Sequence, residues 1–161
     1  MIKVSAKKPG RGKVWDCNGK SKIVKIFISH GNIIHSIQFM YASDSGDLDL
    51  SERYGGDRGD NLDTVTLDYP NEFLTSVKGG RNCSTLTSIV FTTNLRTFGP
   101  FGSRKRDSTK FNFELGQDDS FGGFHGTTSK IGLESIGIYI KPFTGEVVRK
   151  INSARRDQRG R

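Results

Sequence analysis

Cysteine and helical periodicity are both scarce in this chain of 161 residues. Cys17 and Cys83 are its only cysteines, too few for the disulfide framework of a small secreted domain, and neither has partners at the spacing of a zinc site. No segment of ten or more residues keeps a 3.6-residue apolar period. We therefore expect strands rather than helices, and a reducing compartment.

Long apolar runs are also missing. None approaches the length of a membrane span, and residues 1–13 carry lysines without the apolar core of a secretory signal peptide. We expect a cytoplasmic protein, with the nucleus as a second location, and no membrane partner. Nucleophile-elbow, P-loop and Cys/His motifs are absent too, so we expect no enzyme.

Metal-ligand spacing is absent as well. The acidic residues between 44 and 52 do not follow the calcium-loop pattern and are expected in solvated turns. We expect loop or strand-surface roles for His30, His35 and His125. The sequence therefore predicts neither a metal nor a cofactor.

Glycine and phenylalanine are abundant, with 20 and 11 residues, although only 33% of the chain is hydrophobic. Turn residues separate short alternating segments throughout, which predicts an all-β domain of eleven or twelve strands. We assign this domain to residues 1–142. Residues 143–161 are predicted to be a disordered tail, because from residue 144 onward six basic residues face two acids, a net charge of +4.

One six-residue pattern, aliphatic-x-Ser-Ile-x-apolar, occurs three times, at residues 34–39, 86–91 and 133–138. Its serines, Ser36, Ser88 and Ser135, are 52 and 47 residues apart. A period near fifty predicts three copies of one supersecondary unit. The residues one and three places after each serine should face a shared core. They are Ile37, Phe39, Ile89, Phe91, Ile136 and Ile138.

Two turn signals predict hairpins. His30-Gly31-Asn32 separates residues 23–29 from 33–41, and Pro70-Asn71 separates residues 63–69 from 72–78. Each pair of segments should lie antiparallel within one sheet. Trp15, in a short extended segment, is expected to lie in the core or to anchor a loop.

Six blocks of sequence together resemble the plant jacalin-related lectins. They are Val14-Trp15-Asp16; Ile37-Gln38-Phe39 with Tyr41; residues 67–74 (LDYPNEFL); residues 88–94 (SIVFTTN); residues 98–102 (FGPFG); and residues 123–126 (GFHG) with 136–139 (IGIY). The blocks follow family order over residues 2 to 142. Within the family, the chain is most similar to the cytosolic lectins implicated in restricting long-distance virus movement.

The resemblance implies an all-β fold called β-prism I, in which three four-stranded antiparallel Greek-key sheets are related by pseudo-threefold symmetry. It also implies a carbohydrate-binding lectin that recognises mannose/glucose-type glycans without catalysis or metal, often as a homodimer, with a role in plant defence. The three repeats found above agree with three sheets.

The family binds sugar with a Gly-x-x-x-Asp loop, because a sugar site needs a fixed carboxylate and converging N–H groups. Aligned on this pattern, Lys130 takes the place of the glycine and Glu134 that of the aspartate. Ile131 and Gly132 would donate backbone N–H groups. Gly12 would contribute from a second loop near the N-terminus.

This chain departs from the family pattern at both loops. Arg11 stands where the family has a second glycine. Lys130 would be strained if that position has positive φ, and Glu134 is one methylene longer than aspartate. The matching frames in the other two units, residues 31–35 and 83–87, have no carboxylate. The sequence therefore predicts at most one family-type sugar site.

Two functional hypotheses remain open from the sequence. The first is a mannose/glucose-binding lectin that uses Glu134. The second is a β-prism module that has lost sugar binding and recruits a protein or a ribonucleoprotein. The basic tail adds an expected contact with RNA or an acidic partner, against a solvated terminus as its alternative.

Overall fold

The computed structural model describes residues 1–5 and 11–142 of the chain, and the predicted basic tail lies outside them. The described part has thirteen strands and one short 3₁₀ helix, Arg104–Arg106. The strands are β1 Ile2–Ser5, β2 Lys13–Asp16, β3 Ile23–His30, β4 Ile34–Ala42, β5 Leu48–Leu50, β6 Tyr54–Gly55, β7 Asn61–Thr66, β8 Leu74–Arg81, β9 Leu86–Thr93, β10 Thr97–Gly102, β11 Thr109–Glu114, β12 Phe121–Thr128 and β13 Leu133–Ile140. The all-β prediction is confirmed.

The strands form three antiparallel sheets. Sheet I has the order β1-β13-β12-β2, sheet II β5-β4-β3-β7 with β6 also on β4, and sheet III β10-β9-β8-β11. In sheets II and III the two inner strands form a hairpin, β3–β4 and β8–β9. The next strand along the chain pairs with the second strand of that hairpin, and the last crosses over to pair with the first, which is Greek-key order. The predicted set of three antiparallel sheets is confirmed.

Sheet II differs from the predicted four strands because its outer strand is split in two. β5 pairs with Met40 and the residues after it, and β6 pairs with Ser36 and Ile37. Between these pieces, Ser51 Oγ accepts the Phe39 N–H at 2.9 Å, and the Ser51 N–H donates to the Phe39 carbonyl at 2.8 Å. One serine therefore occupies the ladder position at which the strand is interrupted.

The repeated pattern lies on equivalent inner strands, β4, β9 and β13, and its six predicted core residues are all at most 2% exposed. Aromatic rings join the three sheets at the centre. Phe124 of β12 stacks on Phe39 of β4, with centroids 4.7 Å apart, and meets Phe91 of β9 edge-on at 6.1 Å. The prediction of three copies around one core is confirmed.

The first predicted hairpin is confirmed, because β3 pairs with β4 through Ile28 opposite Ile37. The second is wrong: β7 pairs with β3 in sheet II, whereas β8 pairs with β9 and β11 in sheet III. The turn at Pro70 therefore carries the chain between sheets. Turn residues of this kind indicate a change of direction but not which strands pair.

The predictions for two residues of sheet I, Trp15 and His125, differ in their results: the first is confirmed and the second is wrong. Trp15 is 6% exposed and stacks on Tyr54 with centroids 4.4 Å apart, as expected for a core residue. His125 was expected at a surface but is 6% exposed, and its Nε2 contacts the Val4 carbonyl at 2.9 Å. Burial lowers the pKa of His125. No helix in the described ranges is long and apolar enough to span a membrane.

Candidate functional site

The candidate site lies at one end of sheet I, where the turn between β12 and β13 meets the segment that leads into β2. Thr128 is the last residue of β12, and it pairs with Leu133 on one side and Lys13 on the other. This double pairing places Gly12, just before Lys13, beside Glu134, just after Leu133. The sheet register thus brings together two residues that are 122 positions apart in the chain.

Glu134 is half-buried, and its carboxylate is held on one oxygen. Glu134 Oε1 accepts the Gly12 N–H at 3.1 Å and the Thr127 hydroxyl at 3.2 Å. Glu134 Oε2 accepts no hydrogen bond from the residues that the structure describes. An ionised carboxylate that is fixed in this way can still accept from a ligand hydroxyl through Oε2.

Gly12 is required at its position by its surroundings. A Cβ atom there would lie 1.8 Å from the Thr128 carbonyl oxygen and 3.2 Å from Glu134 Oε2. Any side chain would therefore push the segment away from β12 and open the contact with Glu134. Arg11, next to it, is exposed, so the departure from the family pattern at that position does not obstruct the loop.

The turn between β12 and β13 is closed by its own hydrogen bonds. The Ser129 N–H donates to the Gly132 carbonyl at 2.9 Å, and the Ile131 N–H donates to Ser129 Oγ at 3.2 Å. Gly132 packs against sheet II, because a Cβ there would lie 2.7 Å from the Ile34 carbonyl oxygen. Of the two amides predicted to face a sugar, that of Ile131 already has a partner within the turn.

Lys130 is exposed at the tip of this turn. Asp119 is the one non-glycine residue with positive φ in the part of the chain that the structure describes. Lys130 therefore does not have the positive φ under which strain was expected, and its backbone conformation is ordinary. The turn accommodates a lysine where the family has glycine, and this exposed side chain borders the cleft beside the site.

A second loop borders the site and was not anticipated from the sequence. Gly56 approaches the Ile131 carbonyl so closely that a Cβ would lie 3.2 Å from it. Asp57 and Arg58 follow, and with Lys130 they line a cleft whose floor includes His35. His35 Nδ1 is buried without a hydrogen-bond partner among the described residues. No local pattern in residues 56–58 indicated this contact, because it depends on the packing of sheet II against sheet I.

The equivalent ends of the other two sheets carry carboxylates from an unexpected side. His35 and Thr87 occupy the position of Glu134, each as the second residue of its strand. The acids come instead from the segments before β7 and β11, as Asp60 and Asp107. The prediction that frames 31–35 and 83–87 lack a carboxylate is correct for those residues, but it overlooked the opposite segment.

Comparison with known proteins gives a consistent result. The Jacalin-like lectin domain family matches residues 6–139. A protein from Arabidopsis thaliana named Inactive protein RESTRICTED TEV MOVEMENT 1 is 41% identical over 142 residues, which cover 84% of this chain and 80% of the relative. A Mannose/glucose-specific lectin from Parkia platycephala is 36% identical over 144 residues, covering 83% of this chain and 30% of that protein.

The same similarity extends to solved structures. The crystal structure of an artocarpin–mannotriose complex superimposes with a TM-score of 0.75 at 30% identity, and the match covers 88% of this chain and 97% of that one. Identity at this level, over nearly the whole described region, relates the two folds throughout and not only at the inner strands.

Proposed function

Because the chain belongs to the jacalin-like lectin family, we propose that it binds mannose/glucose-type glycans at the Glu134 end of sheet I, without chemical conversion of the sugar. The observation that carries this proposal is the hydrogen bond from the Gly12 N–H to Glu134 Oε1 at 3.1 Å. It fixes an acidic acceptor beside an exposed turn, and the second oxygen of this carboxylate accepts no hydrogen bond among the described residues. A mannose/glucose-specific relative and a neighbour solved with mannotriose support the sugar class.

The chemistry expected of this site is the acceptance of sugar hydroxyls. Glu134 Oε2 would accept from one or two hydroxyls of the ring, and a charge-assisted bond of this kind contributes about 1.5–3 kcal/mol. Lys130, exposed at the turn, can donate to a hydroxyl or ring oxygen. With the Ile131 amide bonded inside the turn, the site offers fewer backbone donors than the sequence alignment implied.

The test is calorimetric titration of methyl mannoside into three forms of the chain. Glu134→Ala should abolish binding, because it removes the acceptor. Glu114→Ala is the matched control, since Glu114 is an exposed glutamate at the end of β11 in sheet III, and it should bind as the unchanged protein does. Undiminished binding by the Glu134 variant refutes this placement of the site.

A second candidate function is a β-prism interaction module that has lost sugar binding and recruits a protein or a ribonucleoprotein. The occupied Ile131 amide favours it, because one of the two expected backbone donors is unavailable. A mannose-agarose column separates the two candidates. Retention with elution by methyl mannoside supports the lectin, and passage of correctly folded protein through the column supports the module.

The biological setting is also a proposal. A role in plant defence, including restriction of virus movement, is supported by the name of the Arabidopsis relative, although that name marks the relative itself as inactive. A cytoplasmic or nuclear location is supported by two unpaired thiols, Cys17 buried and Cys83 exposed. A homodimer is expected from the family resemblance, and sedimentation velocity would measure it.

A further inference from the structure

Six cations lie on β8 and β11 of sheet III and on the 3₁₀ helix that contacts β8. This basic patch consists of Lys78, Arg81, Arg104, Lys105, Arg106 and Lys110. Within the described ranges, none of the four ion pairs includes any of these cations. These cations outnumber the one carboxylate that lines the same hollow, that of Asp107, and a local excess of positive charge attracts anionic ligands.

Part of the patch surrounds a concavity of 440 Å³. Lys78 and Lys110 lie on the neighbouring strands β8 and β11, where Lys110 pairs with Gly80 and Lys78 pairs with Asn112. They are therefore diagonal neighbours, roughly 7 Å apart at the backbone. Arg104, from the 3₁₀ helix, completes the rim. Three cations thus converge on one hollow.

The floor of this hollow is a carboxylate. Asp107 Oδ1 accepts the Thr87 hydroxyl at 2.5 Å, and the Ser88 hydroxyl lies 3.0 Å from both Asp107 oxygens. Asp107 lies over Gly80, where a Cβ would be 2.0 Å from the Asp107 Cγ. The glycine makes room for the carboxylate, which is therefore held by hydroxyls on the sheet rather than by the surrounding cations.

Asp107 occupies a position related to the Glu134 site by the pseudo-threefold arrangement. Lys13 begins β2 opposite Thr128, and Thr109 begins β11 opposite Arg81. Asp107, two residues before Thr109, therefore corresponds to Arg11, two residues before Lys13. Thr87, the second residue of β9, corresponds to Glu134, the second residue of β13. In sheet I the carboxylate is on the inner strand, whereas in sheet III it is on the segment that leads into the outer strand.

We propose that this hollow is a second ligand site, distinct from the Glu134 site, and that it binds a saccharide carrying a sulfate or phosphate ester. The cations on the rim bind the ester, and Asp107 accepts a sugar hydroxyl. A bare anion would gain from the cations but has no hydroxyl to donate to Asp107. A ligand with both an anionic group and hydroxyl donors satisfies the whole set.

Two other occupants fit the hollow less well. Single-stranded RNA gains much of its affinity from bases stacked on aromatic side chains, and Phe111, the one aromatic residue among the described lining residues, is half-buried. The chain's own segment 144–161 has a net charge of the same sign as the patch. Both arguments leave the anionic saccharide as the favoured ligand.

The experiment is a titration at low salt with mannose 6-phosphate, mannose 6-sulfate, mannose and inorganic phosphate. Every form of the full chain in this experiment also carries Glu134→Ala, so that the proposed site at Glu134 does not contribute. A failure of the second site is then distinguished from a failure of the first, which the methyl mannoside titration tests. At least one ester should bind about tenfold more tightly than either mannose or inorganic phosphate, because it uses both halves of the hollow.

Two variants identify the groups responsible. The double variant Lys78→Ala/Lys110→Ala should weaken ester binding at least tenfold. The control is Lys20→Ala/Lys25→Ala, since Lys25 lies on β3 of sheet II and Lys20 in the segment before it, and it should bind the ester as the parent chain does. Asp107→Asn should weaken ester binding but not phosphate binding, with folding checked by thermal melting. If Asp107→Asn does not fold, the lysine pair and the comparison of ester with inorganic phosphate still decide the question.

Three outcomes overturn the proposal. The first is ester binding that the patch lysines do not affect. The second is equal binding of esters and inorganic phosphate, which would indicate a plain anion site. The third is an RNA oligonucleotide that binds more tightly than both esters and loses its affinity in the Lys78/Lys110 variant.

Discussion

Glu72 and Arg96 form an ion pair whose two halves have very different exposure. The Glu72 side chain is 0% exposed, and the Arg96 side chain is 53% exposed. Arg96 donates from Nη2 to Glu72 Oε1 at 2.8 Å and from Nε to Glu72 Oε2 at 3.0 Å, and it also reaches the Thr66 carbonyl at 3.2 Å. The pair therefore fixes the crossover that carries the chain from sheet II to sheet III.

Replacing the buried carboxylate should be costly. Glu72→Gln removes the charge but keeps the shape, and the variant should lose about 3 kcal/mol of unfolding free energy, because charge-assisted hydrogen bonds to Arg96 and Thr93 are weakened inside the protein. Urea unfolding measures this loss. Glu114→Gln, at an exposed glutamate, should change stability by less than about 0.5 kcal/mol. Equal effects of the two substitutions would contradict the assigned role of Glu72.

The same pair predicts a pH dependence. Hydrogen bonds from Arg96, opposed in part by burial, lower the pKa of Glu72 from 4.5 to about 2. Below pH 4.5 the unfolded chain takes up this proton before the folded chain does, so stability rises with pH in this window. The contribution of Glu72 is complete above pH 4.5 and is lost as the pH falls towards 2. The stability difference between the unchanged chain and Glu72→Gln should therefore shrink over that interval, and a constant difference would contradict the prediction.

The N-terminal loop gives a test of the sugar site that leaves Glu134 in place. Gly12→Ala introduces a Cβ that would lie 1.8 Å from the Thr128 carbonyl oxygen, so the loop must move and release Glu134. Mannoside affinity should fall about tenfold, the loss expected when a charge-assisted contact is misplaced.

Gly31→Ala is the matched control for Gly12→Ala. Gly31 lies in the turn between β3 and β4, which corresponds in sheet II to the turn between β12 and β13. A Cβ there would first meet the Asp60 side chain, at 3.2 Å, which can rotate away. Affinity measured by calorimetry should remain unchanged in this variant. A similar loss in both variants would indicate that general loop disturbance, and not the contact between Gly12 and Glu134, lowers the affinity.

The shared aromatic core predicts a large effect at one position. Phe124 is fully buried and contacts phenylalanines of both other sheets, so Phe124→Ala should destabilise the protein by about 4 kcal/mol through lost burial and a remaining cavity. Phe101→Ala, at a half-buried ring, should cost about half as much or less. Denaturant unfolding followed by tryptophan fluorescence measures both, and comparable losses would contradict a central role for Phe124.

The inner strands and their core residues could be predicted from the sequence, because alternation and burial are local properties of a strand. Ser36, Ser88 and Ser135 revealed three equivalent units for that reason. The outer strands could not be assigned, since nothing in residues 61–66 indicates that they pair with β3 rather than with β8. The pairing belongs to the Greek-key crossover, in which β7 returns to the far side of β3.

The candidate site was predictable only in part. Gly12 and Glu134 could be aligned on the family pattern, and the sheet register brings them together. The backbone conformation of Lys130 could not be predicted from its neighbours. Asp107 was missed because it precedes an outer strand, twenty residues after Thr87, and no sequence pattern links those two positions before the sheet is formed.

Sheet I is built from both ends of the described chain, with β1 and β2 from the beginning and β12 and β13 from the end. During synthesis on the ribosome, all strands of sheets II and III therefore emerge before β12 and β13, the strands with which β2 and β1 pair. The junction of Gly12 with Glu134 arises only after translation has passed residue 140. A nascent or prematurely terminated product would accordingly lack this junction, and with it the sugar site that we propose.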